Sequence, residues 1–379
     1  MKKILLYLRP DKALHFEIQN GRLAAQFIRS QDLPFLPSTN IFSVNLDLAR
    51  AALDRKKRLS SINLLKYFFL LIQYIFRYSL ALRHIQQFDA VVVWNGLFLS
   101  SAPIIDACKR LKIPILYSEL GALPGTIVLD PCGVNFQNSL SRRPEFYISQ
   151  KEIPSDDLHL FNKRLSQIGS RSTQLSQSRQ KVERLPKNFI YVPLQVKNDT
   201  QIRFFSGWVG SIEQLLQRLI KWADDLPAEF YFVIKEHPSC GENYGELKSR
   251  LESHGKAIFA SGNCNRELID KSKGVLTINS SVGLQACLLG KPVLVLGQAF
   301  YGMPGLVTVI ENEYEVPGIL KDWKLITPDE ALRVAYGTYL CKNYFIPISD
   351  EIYNSDDLEI ATSIIGKVIN GLPKRDGNF

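Results

Sequence analysis

The sequence predicts an α/β protein with two Rossmann-like domains, each built on a parallel sheet, facing a central cleft. Three observations predict it. Short apolar runs alternate with longer amphipathic stretches, the βαβ rhythm of a parallel sheet. Polar residues follow four of those runs, at the carboxyl edge where open α/β sheets place their ligands. The chain has 379 residues, enough for two cores of ordinary size.

Composition narrows the class. Apolar residues make up 46% and charged residues 22%, as in a globular protein. The net charge of +9 favours an anionic partner: nucleotide, nucleic acid, acidic sugar or anionic lipid surface. Nucleic acid ranks low, because there is no zinc-finger spacing or RNA-binding signature and the dense basic run is confined to Arg55–Arg58. The six cysteines (108, 132, 240, 264, 287, 341) form no CxxC pair, and Cys108 and Cys287 fall in apolar helical patterns as small core residues. Met1-Lys2-Lys3 runs straight into a strand with no signal-peptide pattern, so a reducing cytoplasmic location is expected.

The elements read as follows. Lys3–Leu8 is a first strand, stopped by Arg9-Pro10-Asp11. Phe16–Ser30 reads as a helix, Asn40–Leu46 as a second strand, and 47–58 as helical and basic. Leu64–Leu82 approaches membrane-spanning length, but Lys66, Gln73 and Arg77 interrupt it, which rejects a spanning helix. Two readings stay open there: a long helix covering the first sheet, or an interfacial helix touching the inner membrane beside the basic run. Ala90–Trp94 is a buried strand, Ser100–Leu111 a helix, and Ile113–Tyr117 a strand that delivers Ser118-Glu119-Leu120-Gly121. The Gly-, Pro- and Asn-rich segment 123–139 is expected to be irregular and functional.

Residues 150–188 are polar and read as a helical connector, so the N-terminal domain is drawn over 1–187. The second domain, 188–350, takes strands at Asn188–Leu194, Phe230–Lys235, Ala257–Ala260, 274–278 and Val293–Leu296. Its helices are expected over Ser211–Ala223, 244–254, Arg266–Ser272 and 282–289. Helices near 328–341 and 356–371 follow, and 351–379 is expected to pack back on the first domain.

Four strand ends carry groups suited to chemistry. Ser280 and Ser281 stand where a strand passes into a helix, whose free N–H groups and partial positive charge favour an anion; a serine there is equally suited to capping the helix. Glu119 suits proton transfer, or is a solvated strand-end carboxylate. Asp199, before Thr200, suits attack on or stabilisation of an oxocarbenium-like centre, or is a capping residue of an Asx-turn. His237, after Lys235 and before Pro238, suits a departing phosphate, or is a capping or core histidine. No P-loop is present, and no GxGxxG follows the first strand, which argues against a P-loop NTPase and a standard NAD enzyme. DxD-like metal spacing is also missing.

Five ordered motifs carry a resemblance: SELG-LPGT-DP-GVN, VPLQVKNDTQI, VIKEHP, LTINSSVGLQACLLGKPVLVLG and QAFYGMPGL. Together they resemble the bacterial capsule polysaccharide β-Kdo transferases, Kdo being 3-deoxy-D-manno-octulosonic acid. The match runs in blocks from about residue 90 to 310, leaving the first 85 residues and the tail uncovered. It is looser with bacterial sialyltransferases, which also use CMP-activated sugars. The resemblance implies a GT-B-like, retaining transferase that moves β-Kdo from CMP-Kdo to a surface-glycan or glycolipid acceptor. It implies Asp199 as nucleophile, Glu119 as acid/base, and His237, Ser280 and Ser281 as holders of the CMP phosphate. The wider donor set is then Gln195, Lys235, His237, Pro238, Asn279, Ser280, Ser281 and Gly283, and the acceptor-side set Gly121, Asp130, Asn135 and Gln201. A single phosphate can be held by a helix N-terminus, hydroxyls and a histidine, so no metal or cofactor is expected beyond the donor substrate. The pattern departs at Leu120, where family members often carry a second acidic residue. With room for one such module, one linkage type is expected. Expected partners are the donor, a glycan or glycolipid acceptor and the inner face of the inner membrane. Two alternatives stay open: transfer of another CMP-activated nonulosonate such as sialic acid, and a non-catalytic partner in glycan assembly or export.

Overall fold

A computed structural model describes residues 2–7, 25–29, 64–98, 100–149, 152–169, 182–238, 240, 244–322, 327–348 and 355–373. In chain order the first strands are β1 (Lys2–Tyr7), β2 (Ala25–Arg29), β3 (Ala90–Trp94), β4 (Ile115–Leu120) and β5 (Thr126–Asp130). Next come β6 (Asn188–Pro193), β7 (Phe230–Lys235), β8 (Ala257–Phe259), β9 (Gly274–Thr277), β10 (Val293–Val295) and β11 (Thr308–Val309). The last is β12 (Ile346–Pro347). Two sheets result, each the centre of one unit.

The first unit holds Met1–Gly121, Gly125–Ser139 and Tyr344–Phe379. Its sheet runs β12-β5-β4-β3-β1-β2. β1 to β4 are parallel; β5 runs antiparallel to β4, and β12 antiparallel to β5, so β12 points the same way as β1 to β4. Two expectations are corrected here. Within the predicted helix Phe16–Ser30, Ala25–Arg29 is strand β2, because pairing along β1 satisfies its backbone; a short apolar run carries no period that separates helix from strand. The remainder of that helix, the Asn40–Leu46 strand and the basic 47–58 stretch lie outside the described residues. The segment 123–139, expected to be irregular, contains β5. Its run Thr126-Ile127-Val128-Leu129 is wholly buried and pairs with an extended β4, so Glu119 sits within the strand opposite Val128. Gly125 makes the turn in the left-handed region at φ 66°, and the Gly121 amide donates to the Thr126 carbonyl at 2.8 Å.

Helices cover both faces of this sheet. On one side Tyr74, Tyr78 and Ala81 of the helix Leu64–His84 pack with Ile104, Ile105 and Cys108 of the helix Ala102–Arg110. On the other, Ala361, Ile364, Ile365 and Ile369 of the terminal helix Ser355–Asn370 close over β1, β3 and β4. The Lys2 ammonium donates to the Ile369 carbonyl at 2.8 Å.

The second unit holds Ala122–Pro124 and Leu140–Asn343, so the chain divides at Ser139/Leu140 and not at 187. The reason lies in the helices Pro144–Ile148 and Ser155–Ser166, which pack against Glu330–Asn343; the Tyr147 and Tyr336 rings meet edge to face at 4.8 Å. The sheet order is β11-β10-β9-β6-β7-β8, with every pair parallel. The central strand β6 is apolar and buried on both faces, as a covered parallel sheet requires. The helix Ile212–Trp222 shows how local sequence sets this layer. Ser211 caps it, and Ile212, Leu215, Leu216, Leu219 and Trp222 form one buried stripe.

Candidate active site

In the second sheet β9, β6 and β7 are neighbours running parallel, so their carboxyl ends share one edge. The chain steps from β6 to β7 on one side, then returns with β9 on the other side of β6. A crevice opens where strand order reverses in this way, and ligands of open α/β sheets bind there. Gln195 and Asp199 follow β6, His237 and Pro238 follow β7, and Asn279, Ser280 and Ser281 follow β9.

Asp199 caps the short helix Thr200–Phe205, its Oδ1 accepting from the Gln201 amide at 2.8 Å. The capping role is therefore real, and it fixes the carboxylate at the sheet edge. Its charge reaches His237. Burial pulls the imidazole below its ordinary pKa, because a desolvated ring resists charging, and the Asp199 charge opposes that shift. His237 still presents exposed surface.

Ser280 caps the helix Ser281–Leu288 through Oγ, which accepts from the Val282 amide at 3.2 Å. Ser281 is half-buried, and its hydroxyl makes no hydrogen bond among the described residues. Gly283 is required by space. A Cβ there would stand 2.3 Å from the Tyr301 hydroxyl, which donates to the Ser280 carbonyl at 2.6 Å. Tyr301 thus clamps the first turn from beneath.

Asn279 is buried, and its amide nitrogen donates to the carbonyls of Gln201, Phe205 and Gln298. That commitment turns its oxygen to Gln195, which must present Nε2, at 2.9 Å. The Gln195 Oε1 is consequently left without a partner among the described residues, in a side chain 6% exposed. Buried acceptors are nearly always met, so this oxygen is placed for a donor from a ligand or a water.

Several expected donor groups take other tasks. Lys235 is buried and donates to the carbonyls of Ser261 and Asn263 at 3.0 and 2.5 Å, with burial pulling its pKa down to about 8. Its ammonium therefore braces the loop after β8. Asn279 and Gly283 shape the site from behind, by hydrogen bonding and by space.

The first unit holds Glu119, Gly121, Asp130 and Asn135. Glu119 is half-buried on β4; its Oε2 accepts from Asn95 Nδ2 at 2.5 Å and its Oε1 from the Leu120 amide at 3.0 Å. Asn95 was not among the expected residues. It ends β3 with φ 59°, followed by Gly96 at φ 78°, where a Cβ would strike the Tyr117 ring at 2.5 Å. An Asn-Gly pair closing a buried strand was the signal in the sequence. Asp130 is fully buried and accepts from Cys132 N, Gly133 N, Ser139 N, Ser139 Oγ and Tyr344 Oη, so it staples the loop 130–139. Gly121 leaves no room for a Cβ against the Thr126 hydroxyl, at 2.0 Å. Asn135 opens a short turn at φ 56°.

Residues 155–311 match the family of capsule polysaccharide biosynthesis proteins. Protein FixF of Sinorhizobium fredii is 32% identical over 269 residues, 69% of this chain and 62% of that protein. The capsule polysaccharide modification protein LipB of Neisseria meningitidis serogroup A is 31% identical over 159 residues, 40% of this chain and 36% of LipB. The chain thus spans less than two thirds of either relative. A solved structure of Thermosulfurimonas dismutans KpsC, titled as a beta Kdo 2,7 transferase, matches 97% of this chain and 100% of its own, with a TM-score of 0.50 and 15% identity. At that identity the likeness speaks for the fold, which is GT-B-like. Over residues 155–311 the chain is thus similar to the capsule polysaccharide biosynthesis proteins, in keeping with the resemblance carried by its motifs.

Proposed function

We propose that the chain is a retaining glycosyltransferase that moves β-Kdo from CMP-Kdo to a surface-glycan or glycolipid acceptor. The observation that carries this reading is the gathering of Gln195, Asp199, His237, Ser280 and Ser281 where strand order reverses between β6 and β9. A helix N-terminus, a serine hydroxyl and an imidazole suit one phosphate, and an adjacent carboxylate suits an electrophilic sugar carbon.

In this mechanism Asp199 attacks the anomeric carbon, the bond to the CMP phosphate oxygen breaks, and CMP leaves with the electron pair. His237 donates a hydrogen bond to the departing phosphate. Glu119 takes the proton of the acceptor hydroxyl, which displaces Asp199 from the anomeric carbon. Two displacements restore the β configuration. Asn95 holds the Glu119 carboxylate in place for that step. A glycolipid acceptor would put the enzyme at the inner face of the membrane.

The test is a donor screen with purified protein, offering CMP-Kdo and CMP-sialic acid with oligosaccharide and glycolipid acceptors. Mass spectrometry is expected to find CMP release and acceptor gaining one Kdo. Transfer from CMP-sialic acid instead would replace the sugar. Donor binding without transfer to any acceptor would leave a non-catalytic protein and sink the mechanism.

A further inference from the structure

We propose that the outer face of the helix Leu64–His84 docks this protein on an anionic lipid bilayer. One side of the helix, through Tyr74, Tyr78 and Ala81, is buried in the core of the first unit. The other side exposes Phe68 (53%), Phe69 (59%), Ile72 (65%) and Phe76 (40%). Positions 69, 72 and 76 stand three and then four residues apart, so they form one stripe along the helix. Soluble surfaces carry single exposed apolar residues routinely, but a contiguous row of three phenylalanines and an isoleucine marks a surface that meets something apolar.

Charge selects the partner. Between Asp54 and Asp89 the sequence has no acidic residue, and it holds the Arg55–Arg58 run with Lys66, Arg77 and Arg83. Arg77 and Arg83 are exposed on the helix itself. Lys109, Arg110 and Lys112, at the end of the helix packed beside it, are exposed as well, whereas Asp106 is buried and bonded to the Tyr74 hydroxyl. An apolar stripe flanked by cations and free of acids is the pattern of a helix lying in a membrane interface. The rings enter the acyl boundary while the cations meet anionic headgroups, which adds attraction within a Debye length of the surface. No helix among the described residues is long and apolar enough to cross a membrane, so the contact lies in the plane of the bilayer.

The test uses the full chain and co-sedimentation with two vesicle types, phosphatidylcholine alone and phosphatidylcholine mixed with phosphatidylglycerol. The protein is expected to pellet with the anionic vesicles and to be released by added salt. Two variants divide the contributions, Phe69→Ser/Ile72→Ser and Arg77→Gln/Arg83→Gln. The first should bind anionic vesicles at least about tenfold more weakly, since it removes the inserted apolar area. The second should weaken binding and reduce its salt dependence. Both substitute exposed positions, so the thermal midpoint should not fall, and CMP release without acceptor should match the parent chain. Anionic vesicles that leave the parent chain in the supernatant overturn the proposal, as does undiminished binding by Phe69→Ser/Ile72→Ser. Should that variant instead convert a dimer to a monomer in size-exclusion chromatography, with vesicle binding unchanged, the face joins two copies of the chain and the proposal fails. These outcomes do not depend on which sugar the donor carries.

Discussion

Asp199 shows how a bland and a chemical role share one side chain. One oxygen caps the helix Thr200–Phe205, and the charge of the same group acts on His237. Asn caps a helix about as well as Asp but carries no charge. Asp199→Asn should therefore stay within about 0.5 kcal/mol of the parent in thermal unfolding. Transfer should fall at least about a thousandfold, as when a nucleophile is removed. Transfer at the parent rate would remove Asp199 from the chemistry. His237 supports a pH prediction with a definite sign. Its free-state pKa lies below 6.5 because burial disfavours the charged ring. A bound phosphate favours the imidazolium and raises that pKa, so donor binding takes up a proton. Donor affinity should strengthen as pH falls from the bound-state pKa towards the free-state value, then level off. His237→Gln should flatten that profile in a titration of donor KM. Unchanged pH dependence in the variant would show that His237 does not face the phosphate.

At the scale of elements, the turn from β9 into the helix Ser281–Leu288 is built by a stack: Gly283 on the Tyr301 hydroxyl, and Tyr301 on the Ser280 carbonyl. Gly283→Ala forces a methyl into that stack and should cost about 1–3 kcal/mol, read as a lowered unfolding midpoint. A paired Gly283→Ala/Tyr301→Phe variant, which removes the clashing oxygen, should recover part of the loss. No recovery would mean that the tightness lies elsewhere. The apolar run, the N-cap serine and the Gly290-Lys291-Pro292 reset made this strand–turn–helix legible from residues alone. The hairpin of β4 and β5 was not legible in the same way. Leu123-Pro124-Gly125 read as the start of an irregular loop, and the buried Thr126–Leu129 run gained its meaning from a partner strand.

At the scale of the molecule, the two units draw on the chain differently. The second sheet and its core come from one continuous stretch within Leu140–Asn343, whereas the first unit needs both ends of the chain. A fragment spanning 140–343 is expected to unfold cooperatively by circular dichroism and to bind CMP in calorimetry. A fragment that stays unfolded would show that the second unit depends on the first for its stability. Residues 1–139 alone should not fold, because Ile364, Ile365 and Ile369, which close one face of its sheet, would be missing.

The strands β6 to β10, their parallel sheet and the placing of Asp199, His237 and Ser280 at strand ends were determined by sequence alone. Hydrophobic runs and capping residues act over a few neighbouring positions, and such local physics can be read along a chain. Tertiary structure decided the rest. It placed Ala25–Arg29 in a sheet, moved the unit boundary to 139/140, and turned Lys235, Asn279 and Asp130 into braces. A buried polar side chain serves a ligand or the scaffold according to which carbonyls and amides surround it. Those neighbours come from distant parts of the chain: Asn263 for Lys235, Phe205 for Asn279, Tyr344 for Asp130.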